Sequence, residues 1–396
     1  MSNYVKLNSC VACGNNKLYT FLDLGKQQLA NNYHNGSGGG EQYPLALNVC
    51  EKCWHTQLTV SVNPITMFEN YVYVTGTSKT LRDYCDWFAE KITQTHSVGS
   101  VLDIACNDGT QLDSFKKLGW ETYGVDPAKN LYSQCANKGH NVTNCFWPTN
   151  LYRKFDVIVA QNVCAHTPTP HLFLTGIKNA LNPNGTAFIQ TSQSQMYQRN
   201  EFDTTYHEHI SFFSVNSMKK MAELAGLTLT NVAITPIHGD SYVFELKHNN
   251  HKPNANVYAQ IKKEIAQGRH NLEFYYEFGH KAHDILDKLA TTVDNLIKNK
   301  ITVIGYGAAA KGMTVLQAKN IKLDYIIDDN PLKQGLHTPG TNIPIMSRQS
   351  LASHNHCVVI PLAWNFFDEI KQNIEQIRGE GKTTYIKYFP ELEIID

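Results

Sequence analysis

Val101-Leu-Asp-Ile-Ala-Cys-Asn-Asp-Gly109 runs from an apolar segment into a tight polar turn, and Thr110 to Leu118 continues with helical spacing. A short apolar run that ends in turn residues and feeds a helix is the strand–turn–helix step of a parallel sheet. The next apolar run, Glu121-Thr-Tyr-Gly-Val125, closes on Asp126-Pro127. Asp156-Val-Ile-Val-Ala160 and Thr186-Ala-Phe-Ile-Gln190 extend the series. Strands alternating with helical patterns predict an α/β domain with a doubly wound sheet over residues 76–250.

The turn's chemistry narrows the ligand. A dinucleotide site needs several glycines so that backbone can approach the pyrophosphate, and this turn has one, Gly109. The pattern D-x-A-x-N-D-G fits instead a loop that cradles the methionine part of S-adenosylmethionine. Asp103 or Asp108 would attract the cationic amino and sulfonium groups, with Cys106 and Asn107 between them. Asp126, placed about 20 residues past the turn, would accept hydrogen bonds from both ribose hydroxyls. Asn162, at the end of the fourth strand segment, joins the same set. An ordinary strand–helix turn without ligand is the competing reading.

Outward on the N-terminal side, Cys10-x2-Cys13 and Cys50-x2-Cys53 have the spacing of a structural four-cysteine zinc site. They predict a zinc-binding domain over residues 1–75, with an exposed glycine-rich loop, Asn35-Gly-Ser-Gly-Gly-Gly40. Four protein ligands leave no open position for substrate. Cys50→Ser is therefore expected to destabilise this domain without altering the chemical step. The other six cysteines lie in apolar segments and read as small buried hydrophobes.

On the C-terminal side, residues 255–299 read as one continuous helix, and Ile301-Thr-Val-Ile304 restarts a strand–turn–helix unit at Gly305-Tyr-Gly307. With strands at Leu323 to Ile327 and Cys357 to Ile360, residues 251–396 form a helical connector and a Rossmann-like domain. The turn is not a Walker loop, and the third glycine of a dinucleotide fingerprint is missing. Its backbone N–H groups suit a diphosphate, with Lys311 adding charge; a turn serving packing alone is the alternative.

Composition sets the broad class. The 396 residues are 42% hydrophobic and carry 35 basic against 35 acidic groups, so nothing draws the whole molecule to nucleic acid or an anionic membrane. The opening MSNYVKLNSCVACG lacks a charged region ahead of a long apolar run, and no stretch has the length of a membrane span. A cytoplasmic protein is the expectation.

Chemistry needs a base, and histidines concentrate in Tyr206-His207-Glu208-His209, with His166 following the fourth strand. Loops at the carboxyl ends of parallel strands line the ligand crevice of such a sheet. His209 is the candidate base, with Glu208 expected to orient it.

These residues together resemble the sugar C-methyltransferases of deoxysugar biosynthesis, over nearly the full chain. The resemblance rests on both cysteine pairs, Cys53-Trp54-x2-Gln57-Leu58, Tyr71-Val-Tyr73, Cys106-Asn-Asp-Gly109 and Asn162-Val-Cys-Ala-His166. It continues through Tyr206-x-Glu208-His209-Ile-Ser-Phe-Phe213, Gly305-Tyr306-Gly307-Ala-Ala-Ala-Lys311-Gly312, Asn330-Pro-x-Lys333-Gln-Gly335, Thr338-Pro-Gly340 and Leu362-Ala-Trp-Asn365. It implies a class I S-adenosylmethionine-dependent methyltransferase fold between a zinc domain and a C-terminal domain that helps hold a nucleotide-linked sugar. By the same resemblance His209 is the base, Glu208, Tyr206 and His166 stand beside it, and Tyr73 or Tyr71 adds a hydroxyl. Tyr306, Lys333 and Asn365 join the substrate side, and the enzyme is a monomer. Ala105 and Asp103 depart from the family's usual glycine and glutamate, and Gly239-Asp-Ser241 departs from Gly-Gly-Ser. These departures bear on the substrate more than on the reaction class. Transfer to oxygen or nitrogen of another small molecule, and a silent nucleotide-sugar binding protein, are the rivals. Proton exchange at C3 of a keto-sugar nucleotide without the methyl donor separates them.

Overall fold

The computed structural model describes residues 3–36, 38–69, 71, 74–192, 195–354 and 356–395. Its centre is a seven-stranded sheet. From edge to edge the strands are Leu227–Thr235, Ser241–His248, Leu181–Thr191, Phe155–Gln161, Ser100–Ile104, Glu121–Val125 and Asn141–Thr143. Six are mutually parallel, and Ser241–His248 is inserted antiparallel between two of them. The inner strands are apolar because helices cover both faces: every residue of Ser100–Ile104 is buried, and Phe155–Gln161 is buried along most of its length.

Four strands form the N-terminal sheet in the order Ser211–Phe212, Thr56–Leu58, Tyr43–Cys50 and Leu18–Gln27. Its first strand belongs to the segment that carries His209, so the central domain lends a strand to the zinc domain. A second sheet, centred on Val303–Tyr306 with Tyr325–Ile327 and Val358–Pro361 parallel on either side and an antiparallel edge strand at Glu393–Ile395, forms the C-terminal unit.

The expected single connector helix is two. Ala255–Ala266 ends at Gln267, Gly268 takes φ +86°, and Leu272–Lys298 restarts with Asn271 capping the Glu273 N–H. A left-handed glycine followed by a side-chain N-cap ends one helix and opens the next. The longer helix buries Tyr275, Phe278, Gly279, Ala282, Ile285, Leu286, Leu289 and Val293, a three- and four-residue stripe. That stripe joins one apolar core with Phe21, Leu45 and Leu47 of the N-terminal sheet and Val303, Ile326 and Ile360 of the C-terminal sheet. Gly279 is the close approach: a Cβ there would sit inside contact distance of the Phe21 carbonyl oxygen. Gly279→Ala is expected to lower stability by about 1–3 kcal/mol, read as a lower urea midpoint. An unchanged midpoint would mean that helix and strand separate freely.

The zinc region is no free-standing appendage either. Cys10, Ala12, Cys50 and Cys53 pack in the same apolar cluster as Leu102, Ile158, Phe213 and Met218 of the central domain.

Candidate active site and zinc knuckle

The loop after Ser100–Ile104 is built from left-handed residues: Ala105, Asn107 and Gly109 have φ of 62°, 52° and 83°. Gly109 is also required sterically, because a Cβ would meet the Cys135 sulfur. Asp126 braces this loop, accepting from the Asn107 N–H at 2.8 Å and from the Ala128 N–H at 2.7 Å. Asp108 accepts from the backbone N–H and hydroxyl of Thr110. Cys106 turns its buried sulfur toward Cys135, 3.9 Å away.

A strap from the zinc domain closes over the loop. Thr75 N–H donates to Asn107 Oδ1 at 3.0 Å and Gly76 N–H to Asp108 Oδ2 at 3.2 Å. Gly76 has no room for a Cβ against the Asp108 carboxylate and the Thr110 hydroxyl. This contact was not legible in the sequence, since Thr75-Gly-Thr77 carries no motif.

The site fits a cationic nucleoside. Burial raises the Asp103 carboxyl well above its ordinary range, and the charges of Asp126 and Asp108 raise it further. A positively charged ligand relieves that crowding. At the carboxyl edge of the sheet, Gln161 Nε2 and Asn162 Oδ1 are buried without a partner among the described residues, polar atoms that a ligand would satisfy.

Beside this crevice the histidines meet. His209 and His166 stack with centroids 5.2 Å apart, and Phe68 stacks on the far face of His166 at 5.5 Å. His209 Nδ1 lies 2.8 Å from the Thr204 carbonyl oxygen, which can only accept, so Nδ1 carries the proton. Nε2 is then the basic nitrogen, and the Tyr206 hydroxyl donates to it at 2.9 Å. Burial holds both imidazoles neutral. It lowers His209 well below the usual histidine range, with His166 adding to the effect, and lowers His166 to about 4.

Glu208 does not orient His209 as expected. Its oxygens accept from Asn31 Nδ2 at 2.6 Å and the Tyr71 hydroxyl at 3.2 Å, both from the N-terminal domain. Tyr71 thus reaches the site; Tyr73 lies outside the described residues. His207 turns away toward the Tyr43 carbonyl. Asn31 and Phe68 were missed because nothing local marks them.

The C-terminal residues divide. Gly305 and Gly312 are glycines of packing, since a Cβ at either would strike Leu362. Gly307 approaches Ala363 in the same way, and the Tyr306 hydroxyl is bonded to Asp329. Lys333 donates to the Ala308 carbonyl at 2.8 Å and pairs with Asp328 at 3.6 Å, while Asn365 is exposed. Lys311 alone of this group faces the central domain. Its ammonium lies 4.8 Å from the ring centre of Trp364, whose indole N–H donates to buried Asp203 at 2.7 Å. One buried oxygen of Asp203 has no hydrogen-bond partner among the described residues, the matching oxygen of Glu201 has only the Arg199 guanidinium at 3.7 Å, and burial lifts Glu201 to about 7. Neither was singled out in the sequence, although both stand just ahead of Tyr206.

Family models match the chain in succession: a zinc binding domain over residues 10–68, a methyltransferase domain over 77–232 and a C-methyltransferase C-terminal domain over 236–390. The chain is an S-adenosylmethionine-dependent methyltransferase. Along its whole length this methyltransferase is similar to the C-methyltransferase NovU of Streptomyces niveus, at 28% identity over 98% of this chain and 97% of that one. The ubiquinone biosynthesis O-methyltransferase of Glaesserella parasuis is 30% identical over 23% of this chain and 44% of its own. Magnesium protoporphyrin IX methyltransferase of Synechocystis, solved with bound S-adenosylmethionine, aligns at 12% identity and TM-score 0.34 over 42% of this chain and 78% of that one. Among the described residues no helix is long and apolar enough to cross a membrane.

The methyltransferase's four knuckle thiols form a structural zinc site. Their sulfurs all lie within 4.8 Å of one another, with Cys10–Cys53 and Cys13–Cys50 at 3.6 Å. Tetrahedral ligands at 2.3 Å from zinc stand about 3.8 Å apart, so the tetrad is already arranged for the ion.

Cofactor affinity should depend on pH. A carboxyl raised by burial must ionise to hold a cation, so the affinity for S-adenosylmethionine is expected to weaken with falling pH well before the ordinary carboxylate range is reached. Titration calorimetry measures it; a flat profile would remove Asp103 from cation binding.

Proposed function

We propose that this methyltransferase acts on carbon, placing the methyl at C3 of a nucleotide-linked 4-keto-6-deoxyhexose. The carrying observation is the His209 imidazole, which is neutral, tied through Nδ1 to Thr204 and offers Nε2 beside the cofactor crevice. Transfer to oxygen or nitrogen starts from a lone pair already present. Carbon has none until a proton leaves it, and a ketone next door makes that proton removable by a neutral imidazole.

Bound S-adenosylmethionine supplies an electrophilic methyl. The rest falls to the chain. His209 Nε2 takes the C3 proton, and the Tyr206 hydroxyl, released from Nε2 when substrate enters, turns to donate to the enolate oxygen. His166 lies against the His209 ring and adds to the burial that keeps its resting state neutral. Glu208, held by Asn31 and Tyr71, fixes the N-terminal wall. Lys311, Asp203 and Glu201 form a polar wall on the C-terminal side, suited to the hydroxyl-bearing body of a sugar nucleotide. The full-length likeness to a C-methyltransferase supports the same choice.

The test is incubation with a nucleoside diphosphate 4-keto-6-deoxyhexose in deuterated water. Deuterium is expected at C3 without the methyl donor, and a new carbon–methyl bond with it. A methyl found on oxygen or nitrogen, with no exchange, would overturn the reading.

A further inference from the structure

The zinc knuckle and the two histidines sit on one hydrogen-bonded ladder. Gln57 is fully buried and clamps the first turn of the knuckle from both sides: its Oε1 accepts from the Val11 N–H at 2.8 Å, and its Nε2 donates to the Ser9 carbonyl at 3.1 Å. The backbone of the same residue pairs with Ser211. Next along, the Leu58 N–H donates to the Ile210 carbonyl at 2.9 Å, and the Ile210 N–H donates to the Ala165 carbonyl at 2.8 Å. Ile210 directly follows His209, and Ala165 directly precedes His166.

A parallel link strengthens the first. Asn216 Nδ2 donates to the Cys53 carbonyl at 3.0 Å, and the His55 ring lies between the hydroxyls of Ser211 and Ser217 at 3.2 and 3.3 Å. Phe213 packs on His55 with centroids 5.1 Å apart. The knuckle is thus fastened to both ends of the segment that follows the candidate base.

We propose that the zinc knuckle positions the catalytic pair, and that Gln57 is the positioning residue that carries the geometry of the four-thiolate site to His209 and His166. The inference rests on reading His209 as the base. Zinc fixes the turn around Cys10, Gln57 reads that turn with both ends of its amide, and the strand it stands on sets Ile210. Reacting groups tolerate little displacement: a shift of about 1 Å can cost 10²-fold in rate. Metal occupancy is therefore coupled to the chemical step, in contrast to the separate structural role that the cysteine spacing alone suggests.

The full-length Gln57→Leu variant tests this, with Asn216→Ala as a milder cut through the second link. Each is expected to keep one zinc per chain by metal analysis and to bind S-adenosylmethionine within about twofold of the parent. Amide hydrogen exchange across residues 208–212 should quicken in both, a readout that needs no substrate and so stands even if the sugar assignment fails. With a turned-over substrate, kcat should fall at least about 10-fold while the KM for S-adenosylmethionine stays put. Unchanged exchange at residues 208–212 in a zinc-loaded Gln57→Leu protein would overturn the proposal. If that variant does not fold, the same result in Asn216→Ala does so.

Discussion

His209→Asn is expected to end proton removal and to cut methyl transfer by about 10²–10⁴-fold, the range general-base catalysis supplies. Asparagine can still donate toward the Thr204 carbonyl that now holds Nδ1, so the backbone around it has reason to keep its place. What it lacks is the basic nitrogen that Tyr206 addresses. Affinity for S-adenosylmethionine should remain, because the candidate cofactor residues belong to other loops. Deuterium exchange into the sugar and single-turnover methyl transfer measure the two steps separately. The pH profile of the parent is a companion test. Burial and the adjacent His166 depress the His209 pKa well below 6.5. The base form therefore persists as pH falls through the ordinary histidine range, and the acid limb of kcat/KM should begin only below it. Full turnover by the asparagine variant would exclude His209 as the base.

Stripping zinc is expected to have the next largest effect. Structural zinc binding is worth about 10–16 kcal/mol in isolated finger peptides, and here the thiols are not confined to a detachable module. Cys10, Cys50 and Cys53 share a core cluster with Phe213, Val215 and Met218. Chelation, or Cys50→Ser, should lower the melting temperature of the N-terminal and central domains together and abolish most activity, with both restored by added zinc in the chelated protein. Scanning calorimetry with metal analysis measures this. A fully metal-free chain that melts at the parent temperature would refute it.

Much of the architecture is legible because its signals are local. Val101 to Gly109 reads as strand and turn from neighbouring residues alone, and two residues between cysteines suffice to bring both thiols onto one ion. The clustering of Tyr206, His209 and His166 follows from a rule about strand ends rather than from contacts. What the glycines at 305 and 312 are for in packing is not legible for the same reason. A sequence shows that a Cβ is missing but not what would meet it, and the neighbour is Leu362.

Sequence by itself determined the alternation of strands and helices, the four-thiolate ligand set, the methionine-type loop and the candidate base, since each is written in residues a few positions apart. Only the tertiary structure decided which nitrogen of His209 is basic, that Glu208 is held by Asn31 and Tyr71, that Lys311 faces Asp203 through Trp364, and that Gln57 joins the knuckle to the histidines. Those contacts join residues far apart in the chain. Such pairings exist only once burial of the apolar stripes has brought the domains together, and no local pattern encodes them.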